Sequence, residues 1–240
     1  MKGKLEGKTA LVIGGSRGIG HSIVGELNQL GAKVVYTSRQ PASELFRGNN
    51  TPLFIAADSG DTEALVRAVG QAGEQSGSID VLVYNAGILV TGIIDDFSIA
   101  DLDRMLAVNV RGPFVAIKAA LPYLNRGGRI ITIGSIAGDA ARGPGSTVYG
   151  MTKAAVERMV RGLAWDLASR GITINDVQPG PVATDMTPAQ GELAKRLRDM
   201  HPQSRLGEPD DIAGMVGWLA AEASSYVNGA ALRIDGGFSA

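Results

Sequence analysis

Three residues in the second half of the chain have the types and spacing that proton transfer requires. Tyr149 and Lys153 are four positions apart in a pattern that predicts a helix, so both side chains share one helix face. An ammonium beside a phenol stabilises the phenolate, so such a tyrosine can donate its proton to a carbonyl oxygen and take it back. Ser135 follows an apolar run and could hydrogen-bond the same oxygen. The simpler alternatives are a serine in a turn and two solvent-exposed side chains.

Asn109 is a fourth candidate, in a pattern that predicts a helix from Asp101 to about Tyr123. Pro113 has no N–H to donate to the carbonyl of Asn109, so we expect a bent helix with a carbonyl that can hold water. A proton relay from solvent through this water and Lys153 to Tyr149 is then possible. The alternative is a proline kink without catalytic meaning.

Glycines near the N-terminus predict a nucleotide site. Gly14, Gly18 and Gly20 lie between an apolar strand-like run, Thr9 to Ile13, and a helical pattern. Glycine permits a sharp turn and a close approach of a pyrophosphate, and the helix N-terminus presents free N–H groups to it. Ser16, Arg17 and Ile19 lie in the same turn and are expected to contact the cofactor. A tight turn without a ligand is the alternative.

The end of the second predicted strand indicates which nucleotide binds. A carboxylate there would favour NAD, but Ser38 and Arg39 occupy this place. Arg17 could approach from the glycine turn, and two guanidinium groups with a hydroxyl would bind a 2′-phosphate. We therefore expect NADPH, although both arginines could be ordinary surface charges. Asp58 could accept from the adenine amino group or form a turn.

Composition excludes several classes of function. The net charge of −1 gives no reason to expect nucleic-acid or anionic-membrane partners. The chain has no cysteine and only two histidines, so thiol chemistry is excluded and no metal site is expected. No apolar stretch is long enough for a membrane span, and the first residues do not resemble a secretory signal. The expected compartment is the cytoplasm.

Apolar runs alternate with helical patterns along the whole chain, which predicts an α/β fold: a Rossmann-like doubly wound sheet of about seven parallel strands with helices on both faces. Without a linker or repeat, residues 1–240 are expected to form one domain. The segment from Pro179 to about Glu208 is the least regular and is expected to be a lid or binding loop. The predicted strands are Thr9–Ile13, Lys33–Thr37, Leu53–Ala57, Asp80–Tyr84, Arg129–Ile133, Ile172–Val177 and Ala230–Ile234.

With these motifs in order, the chain resembles the short-chain dehydrogenase/reductase family along nearly its whole length. The resemblance implies a catalytic tetrad of Asn109, Ser135, Tyr149 and Lys153, with Lys153 also touching the nicotinamide ribose. It further implies a homotetramer. The residues that would line the cofactor by this resemblance are Asn85, Ala86, Gly87, Pro179, Gly180, Val182 and Thr184.

The expected activity is NADPH-dependent hydride transfer to a ketone or aldehyde, or the reverse oxidation of a secondary alcohol. A rival comes from the segment Gly171 to Phe238, which is similar to that of a family member that binds cyclic-di-GMP. This chain could therefore be a nucleotide-binding regulatory protein on an enzyme fold. Substrate contacts are predicted from residues that lie along the carboxyl-end edge of the predicted sheet: Ile88, Leu89, Asp139, Arg142, Met186 and the loop around His201.

Overall fold

All seven strands belong to one parallel sheet in the computed structural model, which describes residues 3–48, 50–140 and 143–240. The strand order is β3-β2-β1-β4-β5-β6-β7, so the chain reverses direction across the sheet between β1 and β4. The predicted fold class is confirmed. The strands are β1 (Thr9–Ile13), β2 (Lys33–Ser38), β3 (Leu53–Ala56), β4 (Ile79–Tyr84), β5 (Leu124–Ile133), β6 (Thr173–Pro179) and β7 (Ala231–Ile234).

Helices cover both faces of this sheet. One apolar core lies between the sheet and the helices α1 and α7, and the other lies between the sheet and α2, α4 and α5. Strands such as β1 and β4 are buried along their whole length because both of their faces are covered. The helices are α1 (Gly18–Gln29), α2 (Thr62–Ser76), α3 (Ile99–Leu106), α4 (Gly112–Ala120), α5 (Thr147–Asp166), α6 (Glu192–Met200) and α7 (Pro209–Ala221).

Most strands differ from their predicted bounds only at the ends, and β5 begins at Leu124 rather than at Arg129. Two helical regions also differ from the sequence prediction. The helix predicted from Asp101 to Tyr123 begins at Ile99, ends at Ala120 and contains a π-helical segment, Ala107–Arg111, between α3 and α4. Pro113, which lacks an N–H, follows this segment and accounts for the break in the regular pattern. The irregular segment from Pro179 to Glu208 contains the helix α6, whose buried Ala194 attaches it to the fold.

The carboxyl ends of β1 and β4 form a crevice, because the connections that follow these two neighbouring strands leave in opposite directions. Ligands bind at such a crevice in open α/β sheets. The sequence motifs that follow β1, β4, β5 and β6 therefore all open onto the same edge. Within the described part of the chain, none of the helices combines the length and apolarity that a membrane crossing requires.

Candidate active site

The glycine turn after β1 has the backbone conformation that its sequence predicts. Gly14 and Gly18 have positive φ angles of 84° and 53°, which side-chain-bearing residues rarely adopt. A Cβ on Gly14 would lie 2.8 Å from Cα of Ala86, and a Cβ on Gly20 would overlap the carbonyl oxygen of Gly14. The helix α1 begins at Gly18, and the preceding Arg17 makes no side-chain cap. The first N–H groups of α1 are therefore available to an anion.

The segment after β4 packs directly against this turn. The Nδ2 atom of Asn85 donates to the carbonyl of Gly14 at 2.7 Å, and the backbone N–H groups of Asn85 and Ala86 both donate to Ile13. Gly87 lies close to the catalytic candidates, since a Cβ on it would be 3.6 Å from both Lys153 Nζ and Asn109 Oδ1. The structure thus brings the predicted cofactor residues after β1 and β4 together.

The residues predicted to bind the 2′-phosphate have other contacts in this structure. Arg17 forms an exposed ion pair with Asp185 at 2.8 Å, across the opening of the crevice. The hydroxyl of Ser38 donates to the carbonyl of Gln40, two residues ahead in the turn that contains Arg39. Oδ1 of Asp58 accepts the N–H of Gly60 at 2.8 Å, which is the turn-forming role. Asp185 is a contact that sequence reasoning missed, because it is distant from Arg17 along the chain.

Tyr149 and Lys153 lie on one face of α5, as the spacing predicts. Lys153 Nζ is 5.7 Å from the centroid of the Tyr149 ring and donates to the carbonyl of Ile133 at 2.8 Å. The Lys153 side chain is buried, with a relative exposure of 6%, whereas Tyr149 is half-buried. Ser135 Oγ accepts the N–H of Ala137 at 3.1 Å, and its own proton is still available for donation. The three predicted groups therefore surround one edge of the crevice.

Asn109 connects the two halves of this site through its side chain. Its Oδ1 accepts the N–H of Ile88 at 2.9 Å, and its Nδ2 donates to the carbonyl of Ile88 at 2.9 Å and to Thr152 Oγ1 at 3.1 Å. Thr152 in turn donates to the carbonyl of Tyr149 at 2.8 Å. Sequence reasoning identified the backbone carbonyl of Asn109 but missed these side-chain contacts. An asparagine, which is a poor helix former, within a helical pattern was the available signal.

Tyr84, the last residue of β4, hydrogen-bonds the π-helical segment. Its hydroxyl donates to the carbonyl of Val108 at 2.7 Å, and burial raises the pKa of this hydroxyl, so it remains a donor. A Cβ on Gly112 would overlap the same hydroxyl. The sequence analysis did not assign Tyr84 to the site. Its position directly before Asn85 was the only signal that could have done so.

Replacing Tyr84 with phenylalanine removes this hydroxyl without changing the ring. We expect Tyr84→Phe to lower the free energy of unfolding by about 1–3 kcal/mol, because the buried carbonyl of Val108 loses its donor. Urea denaturation of both proteins measures the difference. Equal stability would mean that this hydrogen bond does not hold the π-helical segment.

The loop after β6 closes the far side of the crevice. Gly180 donates to Ile234 at 3.1 Å, and Val182 pairs with Gly207 in an isolated bridge. A Cβ on Gly18 would lie 3.3 Å from the methyl group of Thr184, so this loop packs against the glycine turn. Pro179, Gly180, Val182 and Thr184 therefore belong to the loop that flanks the predicted cofactor site.

The predicted substrate contacts have mixed surroundings. Ile88 and Leu89 are half-buried, Ile88 beside Asn109, and Met186 is 45% exposed on the loop after β6. Asp139 is exposed and forms an ion pair with Arg233. His201 is buried and hydrogen-bonds the carbonyl of Asp235 at 2.9 Å. Arg142 lies outside the described residues. Among the described residues, no group of three His, Cys, Asp or Glu could hold a metal ion.

The residues present fit a dinucleotide. The fit rests on the positive φ angles of Gly14 and Gly18, the uncapped start of α1 and the close packing of Gly20 against Gly14. These features leave space for a pyrophosphate at the backbone. The catalytic candidates lie at the carboxyl end of β5, so a nicotinamide would extend toward them from the glycine turn.

Comparison with known proteins shows the class of this protein. A family model described as enoyl-(acyl carrier protein) reductase matches residues 13–239. The chain belongs to the short-chain dehydrogenase/reductase family of oxidoreductases, as the motifs predict.

Individual relatives cover nearly the whole chain. The cyclic-di-GMP-binding biofilm dispersal mediator protein of Escherichia coli K12 is 40% identical over 240 residues, which span 99% of this chain and 100% of that protein. A short-chain dehydrogenase/reductase from Serratia marcescens superposes with a TM-score of 0.93 at 44% identity, over 99% of this chain and 100% of the other. A blue fluorescent protein from a metagenomic library, solved in complex with NADPH, has the same TM-score, identity and coverage.

Proposed function

We propose that this protein is an NADPH-dependent carbonyl reductase that also works in reverse as an alcohol dehydrogenase. Its substrate is a small ketone or aldehyde, and Tyr149 is the general acid. The observation that carries this proposal is the buried ammonium of Lys153 at 5.7 Å from the ring of Tyr149, on the face of α5 that meets the crevice. A binding module has no need of this pair.

Each catalytic candidate has a separate task in this proposal. NADPH, when bound, supplies the hydride. Tyr149 donates its proton to the carbonyl oxygen, and Ser135 hydrogen-bonds the same oxygen and orients it. Lys153 stabilises the phenolate electrostatically. The side chain of Asn109 binds the backbone of Ile88 and the hydroxyl of Thr152 on α5. In this proposal its backbone carbonyl holds the water through which the proton is replaced.

Most cofactor contacts are assigned to three segments of the crevice, and the others to the ends of β2 and β3 and to α5. The turn after β1 would bind the pyrophosphate, the segment after β4 would line the adenosine and nicotinamide, and the loop after β6 would bind the carboxamide. The NADPH-bound relative at 44% identity supports this assignment. The assigned residues are Gly14, Ser16, Arg17, Gly18, Ile19, Gly20, Ser38, Arg39, Asp58, Asn85, Ala86, Gly87, Tyr149, Lys153, Pro179, Gly180, Val182 and Thr184.

The decisive experiment is NADPH oxidation over a panel of ketones and aldehydes, with NADPH binding measured separately by fluorescence. Turnover with at least one carbonyl compound would support the proposal. Tight NADPH binding without turnover on any carbonyl compound would contradict it and favour the regulatory alternative below.

Cofactor preference gives a sharper test. We expect Arg39→Asp to weaken NADPH binding by at least about tenfold, because a carboxylate would repel the 2′-phosphate, and to leave NADH binding equal or stronger. The dissociation constants of both cofactors measure the change. Arg126→Asp is the control, since Arg126 lies at the opposite edge of the sheet, at the start of β5. An unchanged preference in Arg39→Asp would contradict the phosphate assignment.

A second candidate function is recognition of cyclic-di-GMP, and the 40% identical Escherichia coli protein of that description favours it. Isothermal titration with cyclic-di-GMP, with and without NADPH, separates the two. Binding that NADPH displaces would place the dinucleotide in the same crevice. Absence of binding at high micromolar concentration would exclude this candidate.

The remaining proposals concern assembly and location. The chain is expected to be a single domain, to form a homotetramer and to work in the cytoplasm. Large apolar side chains that are exposed on the helices α4, α5 and α7 support the assembly: Phe114, Trp165 and Trp218. Light scattering in solution measures the oligomeric state, and a monomer would contradict the proposal.

A further inference from the structure

A carboxyl group that the proposed mechanism does not use is buried behind the catalytic candidates. Asp176, in the middle of β6, has a relative exposure of 0%. It accepts from Thr132 Oγ1 at 2.5 Å and from Gln178 Nε2 at 3.1 Å. Both donors are neutral. Burying a carboxyl with only neutral donors is costly, and a nearby positive charge offsets part of this cost for the ionised form.

Lys153 is that positive charge. Its ammonium donates to the carbonyl of Ile133, and a Cβ on the next residue, Gly134, would overlap the carboxyl of Asp176. The ammonium and the carboxyl therefore both contact the short Ile133–Gly134 backbone. Gly134 is the residue that leaves room for Asp176 at this point.

The charges around Asp176 come from the elements packed against β6. Burial raises the pKa of Asp176 to about 6, and the attraction of Lys153 on α5 partly opposes this rise. Glu157, one turn further along α5, repels it, but Glu157 itself accepts from Gln178 and pairs with Arg161. On the neighbouring strand β7, Arg233 forms an ion pair with Asp139. In the alkaline range in which a tyrosine phenol titrates, well above a pKa of about 6, Asp176 is a carboxylate.

We propose that Asp176 is a positioning residue that acts through Lys153 and holds Tyr149 in its protonated, acid form. A negative charge behind Lys153 opposes part of the field that the ammonium exerts on Tyr149. The phenol then keeps its proton to higher pH than it would beside an uncompensated ammonium. A protonated phenol is the acid that reduction requires, whereas alcohol oxidation requires the phenolate.

The test measures ionisation of Tyr149 in the protein alone, so it needs no substrate. Near-ultraviolet absorbance of tyrosinate is recorded against pH for the wild type and for Tyr149→Phe, and the difference isolates one phenol. The same pair is then made in the Asp176→Asn background. We expect the midpoint of this titration to move to lower pH by about one unit in Asp176→Asn. An unchanged midpoint, or a move to higher pH, would overturn the proposal.

Two further variants separate charge from structure. Asp176→Ala also lacks the charge, so it should move the midpoint in the same direction even if the new amide in Asp176→Asn packs poorly. Asp80→Asn is the matched control, because Asp80 is a buried carboxyl near the amino end of β4, paired with Lys8 and distant from Tyr149. A shift of the same size in Asp80→Asn would show that loss of any buried carboxyl suffices.

The pH dependence of stability is an independent readout of the Asp176 carboxyl, and turnover of Tyr149→Phe separates this inference from the proposed function. Asp176 binds its proton more tightly in the folded than in the unfolded chain, so stability should fall as pH rises from about 4 to about 6. This slope should be weaker in Asp176→Asn. The inference rests on Tyr149 as the proposed acid. If Tyr149→Phe retained turnover, the proposed function would fail, whereas an unmoved phenol midpoint in Asp176→Asn would refute this inference alone.

Discussion

Tyr149→Phe is expected to reduce kcat for carbonyl reduction by about 10²–10⁴-fold, because the only group in the proposed mechanism that donates a proton to the carbonyl oxygen is lost. NADPH binding should change by no more than about tenfold, since phenylalanine retains the ring and one hydrogen bond contributes about 0.5–1.5 kcal/mol. Single-turnover kinetics at saturating NADPH, with a binding titration alongside, measures both quantities.

The control for this variant is Tyr226→Phe. Tyr226 is 97% exposed and lies between α7 and β7, at the amino end of β7 and therefore at the sheet edge opposite the crevice. Its kcat should equal that of the wild type. If Tyr149→Phe lost NADPH binding and turnover together, the tyrosine would have a binding role, and the proton would have to come from another group.

Asn109→Ala should affect turnover and stability together. The side chain of Asn109 satisfies both backbone groups of Ile88 and reaches Thr152, so its loss leaves the N–H and carbonyl of Ile88 without partners. We expect the free energy of unfolding to fall by about 2–4 kcal/mol and kcat to fall by at least about tenfold. NADPH binding should fall less than kcat. Urea denaturation and steady-state kinetics measure the three effects.

Asn28→Ala provides the matched control for Asn109→Ala. Asn28 is equally buried, and its Nδ2 donates to the carbonyls of Arg47 and Asn50 at 2.9 and 2.7 Å, near the end of α1 that points away from the crevice. A similar loss of stability with unchanged kcat is expected. If both variants lost turnover in proportion to stability, Asn109 would be a structural residue without a part in the relay.

The sheet could be predicted because its strands are short apolar runs that differ from the helical patterns between them. β1 agrees with its prediction residue for residue, and the other strands differ mainly at their ends. Burial on both faces demands nearly continuous apolar residues, which makes such strands visible in one sequence. The glycine turn was predictable for a similar reason, since positive φ angles restrict the residue type.

Contacts between distant segments could not be predicted. The ion pair of Arg17 with Asp185 joins residues on different loops, and no local pattern distinguishes Asp185 from other surface acids. The same holds for Asp176 and Lys153, which lie near each other because β6 and α5 pack together. The helix α6 escaped detection since it buries little beyond Ala194. A proline indicated the break after α3, but the hydrogen bond that links the π-helical segment to Tyr84 joins two distant parts of the chain.

The π-helical segment between α3 and α4 has a consequence for insertions and deletions. Such a segment contains one residue more than a regular turn, and each residue of an α-helix advances the chain by about 100°. Deleting one residue from Ala107–Arg111 could restore a regular helix, but it would rotate α4 and move the buried side chains of Ala116, Ile117 and Ala120 away from their core. A deletion variant that still folds would then need compensating substitutions along α4. The length of this stretch is therefore fixed by the helix that follows it, and homologous chains that retain this packing should align here without gaps.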